Sequence, residues 1–121
     1  MGRYEIALDY YDKALTGFAE DYELFLMATT YIAIGRCHLK DNELGLAKMN
    51  LLEGLKLGEK AGHPENTVWN NIYLAEVYLK ENNIKEASNH ANVARHIAES
   101  ISSAELMAEA DKMLMSTSVN A

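Results

Sequence analysis

The chain has 121 residues, 49% of them apolar, with one proline, one cysteine and a net charge of −7. That length holds one domain with a real core, and the acidic balance excludes a module that neutralises nucleic-acid phosphates, which needs a basic face. The lone Cys37 excludes a disulfide framework and a cysteine-based metal site.

There is no apolar run of about eighteen residues to span a membrane. The opening "MGRYEIALDYYDKAL" has neither the apolar core of a signal peptide nor the Ser or Thr of a myristoylation signal. A soluble, cytoplasmic protein is therefore expected.

Scarce Pro and Gly and abundant Ala, Leu, Glu, Lys and Met predict an all-α chain. The first helix expected is Arg3–Ala19. Glu20-Asp21 reads as a helix-start signal for a second helix, Tyr22–Lys40. The "KDN" that follows stops this helix and caps the next, Glu43–Lys60, because Asp and Asn bond to nearby backbone. In "AGHPEN", Gly62 suits a left-handed residue past a helix end, and Pro64 suits the first turn of a fourth helix, Pro64–Lys80. A fifth runs Ile84–Glu99. Ser102, with Glu105 three residues on, has the form of a capping box that opens a sixth helix to about Ser116. This gives about six helices in a single domain over 1–121, divided as 1–20, 22–61, 62–101 and 102–117.

The phrase "HLKDNELGLA", from His38 to Ala47, returns forty residues later as "YLKENNIKEA", from Tyr78 to Ala87. At the same offset Gly2, Asn42 and Asn82 align, as do Tyr4, Leu44 and Ile84, and Ala7, Ala47 and Ala87. Tyr11, Leu51 and Ala91 follow, then Ala14, Gly54 and Ala94. Small or apolar residues at these spacings mark one face of a helix in each copy. Such a repeating unit buries its apolar face by stacking on a neighbour.

"GRYEIALDYYDKAL", with Gly2, Tyr4, Ala7, Tyr11 and Ala14, closely resembles the second helix of a tetratricopeptide repeat. Ile34-Gly35-His38 and Leu74-Ala75-Tyr78 match the first-helix half of that pattern. The resemblance covers essentially the whole chain and implies a right-handed α-solenoid of antiparallel helix pairs. The usual period is about 34 residues, whereas here it is forty. This is similar to the long-repeat subgroup of bacterial signalling proteins and some eukaryotic scaffolds. Because the chain opens on a second helix without its first, it is expected to be a piece of a longer signalling-type protein.

The resemblance implies a protein–protein interaction module in which first helices line a concave groove that holds a peptide or protein segment. By position the groove residues are Thr29, Ile32, Arg36 and Lys40, then Trp69, Ile72, Tyr73, Glu76 and Lys80. Each set shares a helical face, and Trp and Tyr are frequent binding anchors. The competing reading is that Ile32, Ile72 and Tyr73 pack against the next helix. Family members that clamp a C-terminal carboxylate use a Lys and an Asn that are absent here, and Glu76 would repel a carboxylate, so an apolar or amphipathic peptide of mixed charge is expected.

No catalytic, cofactor or metal site is expected. His38 stands where Tyr78 stands in the next copy and reads as core. His90 and His96 fall on different helix faces and read as surface, and His63 lies in a loop. Gly-rich, HExxH and nucleophile motifs are missing. Cys37 corresponds to Val77 and reads as a small buried hydrophobe. The alternative function is an oligomerisation or spacer segment acting through apolar end helices, with Tyr4, Tyr11 and Phe18 at one end and Met107, Met113 and Met115 at the other, as in a homodimer.

Overall fold

The computed structural model describes residues 20–120. The expected leading helix, with Tyr4, Tyr11 and Phe18, lies outside them. The described residues are all-helical: α1 (Glu20–Lys40), α2 (Leu44–Ala61), α3 (Pro64–Lys80), α4 (Ile84–Ser100) and α5 (Ala104–Asn120). By its internal contacts the chain divides into two compact units, Met1–His63 and Pro64–Ala121, with the division inside "AGHPEN".

The helices α1 to α4 end in the same way. Asn42, Gly62, Asn82 and Ser102 adopt left-handed φ of 58°, 72°, 61° and 54°. The left-handed residue donates its N–H to the carbonyl three residues back, as in Asn42 to Leu39 (3.0 Å) and Asn82 to Leu79 (3.0 Å). The next residue donates to the carbonyl five back: Glu43 to His38 and Asn83 to Tyr78 at 2.8 Å, His63 to Gly58 at 3.2 Å, Ser103 to Ala98 at 3.1 Å. This pair of bonds satisfies carbonyls that a helix end otherwise leaves open. Gly and Asn are the residues that tolerate the conformation most readily, which is why "KDN", "KEN" and "AGH" stop helices.

The sixth predicted helix starts later than its sequence indicated. Ser102 is the left-handed residue, not a cap. Ser103 is the cap, its Oγ accepting from the N–H of Leu106 at 3.2 Å. Glu105 therefore falls one place short of a capping box, and the helix extends past Ser116 to Asn120. Asn83 caps α4 through Glu86 N–H at 3.2 Å, whereas Glu43 makes no side-chain cap.

In the first unit α2 buries Ala47, Leu51, Gly54, Leu57 and Gly58. In the second unit α4 buries Ala87, Ala91, Ala94 and Ala98. Small side chains at i, i+4, i+7 and i+11 let helix backbones approach closely. The large Leu51 of the α2 seam is met by a matching absence. A Cβ built on Gly35 would stand 2.6 Å from Leu51 Cγ and 3.3 Å from the Ala47 carbonyl oxygen. In the second unit the corresponding positions, Ala75 and Ala91, share a cluster with Ala87. A second cluster joins Val68 and Ile72 to Ala94, Ala98, Leu106 and Ala110. Among the described residues no buried side-chain nitrogen or oxygen lacks a partner.

Two stability changes follow from this packing. Gly35→Ala is expected to lower stability by about 1–3 kcal/mol, overpacking outweighing a helix-propensity gain of about 1 kcal/mol. Adding Leu51→Ala should cost clearly less than it does in the wild-type background, which a double-mutant cycle by urea unfolding measures. Ser102→Gly should raise stability by about 0.5–1 kcal/mol by relieving the left-handed cost, read as a higher urea midpoint.

Candidate functional site

Arg36 and Lys40 stand one turn apart in the last turns of α1, and Glu76 and Lys80 occupy the same places in α3. The structure opens a cleft at this register in each unit. In the first, Ala33, Arg36, Cys37 and Lys40 line about 170 Å³. In the second, Glu76, Leu79 and Lys80 of α3 face Met113 and Ser116 of α5 across about 450 Å³. Among the described residues the first cleft has two basic side chains, Arg36 and Lys40, beside the partly buried, unbridged Cys37. The second sets one acid and one base beside apolar Leu79 and Met113.

The remaining sequence candidates divide. Trp69 and Tyr73 stack one turn apart, ring centroids 5.7 Å from each other and planes 21° apart. Trp69 also packs against the Val68–Ile72 cluster, so part of it is structural. Ile32 and Ile72 are 8% and 5% exposed and belong to the core. Thr29 is exposed, its hydroxyl donating back to the Phe25 carbonyl at 2.9 Å.

The methionines of α5 also divide. Met107 and Met113 pack against the second unit's core, while Met115 is 68% exposed. Leu79, Met113 and Ser116 were not assigned to the groove from sequence. Met113 and Ser116 lie forty residues after Tyr73 and Glu76, so the repeat offset held the signal that would have found them.

His90 is a correction. The sequence reading put it on the surface, but it is half-buried between α4 and α3. Its ring stacks on Tyr78 with centroids 5.4 Å apart and planes 9° apart. Asn71, itself buried, donates its amide N–H to the Thr67 carbonyl at 2.9 Å. That fixes its oxygen as the acceptor for His90, 2.8 Å from Nδ1, so the neutral ring carries its proton on Nδ1. His38, at Tyr78's place in the first unit, instead points Nδ1 at Glu43 Oε1, 3.2 Å away. An aromatic ring at this position closes each hairpin, but by different contacts.

Among the described residues no group of His, Cys, Asp and Glu side chains is arranged to hold a metal ion, and no helix is long and apolar enough to cross a membrane. Comparison with protein-family models, with curated proteins and with solved structures gives no match.

Burial lowers the His90 pKa below its ordinary 6.5, the Glu86 carboxylate opposing it. The folded chain thus favours neutral His90 and binds fewer protons than the unfolded chain. Stability is complete above about pH 6.5 and is lost as pH falls through the lowered folded value. An NMR titration should place the His90 midpoint below 6.5. His90→Gln should flatten the fall in urea midpoint between pH 6.5 and 5.5; an unchanged slope would assign that fall to other groups.

Proposed function

We propose that the chain is a non-enzymatic interaction module, a tetratricopeptide-like solenoid whose first helices present a groove to a peptide or protein segment. The observation that carries this reading is the cleft lined by Glu76, Leu79, Lys80, Met113 and Ser116, continued along α3 by the stacked Trp69 and Tyr73. The helix terminations that recur at fixed spacing support the repeat. Rigid helices hold these side chains in place before a partner arrives, so little conformational entropy is lost on binding. Apolar Leu79 and Met113 between Glu76 and Lys80 favour a segment with an apolar anchor flanked by charges of both signs.

Self-association through the end helices has less support. Of the three methionines expected to carry it on α5, only Met115 is exposed.

The test is a peptide-display selection against the folded chain, followed by binding to a Glu76→Lys, Lys80→Glu charge swap. Selected peptides should contact the cleft in chemical-shift maps and bind the swapped protein about tenfold more weakly, about 1.4 kcal/mol. The melting temperature should change little, because both side chains lie at the surface. Selected peptides that bind the swapped protein equally well would remove the cleft as the site.

A further inference from the structure

From Thr67 to Val77 every residue of α3 is buried except Trp69, Tyr73 and Glu76. These three stand at i, i+4 and i+7, so they form one line along a single helical face. Trp69 packs against the Val68–Ile72 cluster, and the Tyr73 ring stacks on it with centroids 5.7 Å apart. The core thus holds Trp69, and Trp69 holds Tyr73. Glu76 comes next along the line, at the wall of the cleft it shares with Leu79, Lys80, Met113 and Ser116. Helical side chains lean toward the N-terminus, which sends Glu76 toward the Tyr73 ring. Other acids of this unit have their cations: Glu99 and Asp111 are paired with Arg95, and Glu109 with Lys112. Among the described residues Glu76 belongs to no ion pair, although Lys80 is one turn away. Packing does not demand this line. Forty residues earlier the same positions are Thr29, Ala33 and Arg36, with no ring and the opposite charge.

We propose, resting on the groove reading above, that Tyr73 and Glu76 seat an arginine side chain of the bound segment. A guanidinium is the cation that these two side chains fit. It is planar, so it stacks on the face of Tyr73 turned away from Trp69. It is also forked, so it gives two parallel N–H donors to the Glu76 carboxylate. A lysine ammonium has neither the plane nor the fork. Glu76 is already partly withdrawn from water, so part of the desolvation that weakens ion pairs is met before the segment arrives. An i, i+4 pairing with the exposed Lys80 competes only weakly. Lys80 stands at the end of the line away from the rings, where it suits an acid of the same segment.

The probes are peptides selected by display against the intact chain, with binding followed by the emission of Trp69, the single tryptophan. Peptides whose chemical-shift changes map to the cleft should carry an arginine. Replacing it by citrulline, which keeps the shape and removes the charge, should weaken binding about tenfold, and lysine should also bind less well. Glu76→Gln should weaken the arginine peptide by a similar factor and the citrulline peptide hardly at all, because both changes remove one contact. Tyr73→Phe should bind as the wild type does and Tyr73→Leu several-fold more weakly, since the ring face is used and not the hydroxyl. The melting temperature of each variant separates lost binding from lost fold. Cleft-binding peptides without arginine, equal binding after the citrulline exchange, or additive losses in the cycle would overturn the arginine seat and leave the groove reading standing. If no selected peptide maps to the cleft, both fall.

Discussion

The helices α1 to α4 each end on one backbone residue turning left-handed, at intervals of twenty: Asn42, Gly62, Asn82 and Ser102. The conformation stops the helix and feeds two N–H groups back to the carbonyls of the helix just completed. Because it recurs at a fixed interval, helices of nearly equal length follow one another, and residues forty apart stand at equivalent places along their helices. The residue after each left-handed one then starts the next helix, by a side-chain cap at Asn83 and Ser103 and without one at Glu43.

That register leaves helix packing to the seam. Ala at 87, 91, 94 and 98 gives α4 a smooth face, and hydrophobic contact is spread over many small side chains. The α2 seam has Gly54 and Gly58 where α4 has alanines, and Leu51 where α4 has Ala91. Volume moves across the interface, not out of it: the Leu51 side chain fills the space left by the missing Cβ of Gly35. Two pairs of helices thus solve one packing problem with different residues, as expected of interiors packed near crystal density.

Positions that face away from the seams are free to differ between copies, and chemistry can accumulate there. Arg36 becomes Glu76 one step of the offset later. The same backbone therefore presents a cleft with two basic side chains in one place and a mixed-charge, partly apolar cleft in another. Buried polar groups are the exception to this freedom. Asn71 is held by the Thr67 backbone carbonyl and the His90 ring together, so exchanging Asn71 or His90 removes this contact from the other.

The amino-acid sequence by itself determined the helices, their breaks at "KDN" and "AGHPEN", and the forty-residue offset, because turn chemistry and apolar spacing act within a few residues of chain. It also placed Arg36, Lys40, Glu76 and Lys80 on shared helical faces, since that needs only the helical pitch. It misjudged Ser102, because Ser at consecutive positions leaves open which one turns left-handed and which one caps. The tertiary structure alone decided that Ile32 and Ile72 are core, that His90 reaches Asn71 across two helices, and that Met113 turns inward while Met115 stays out. Those outcomes depend on which neighbour meets each helical face, and the distance between partners in sequence, nineteen residues for His90 and Asn71, lies beyond anything local periodicity encodes.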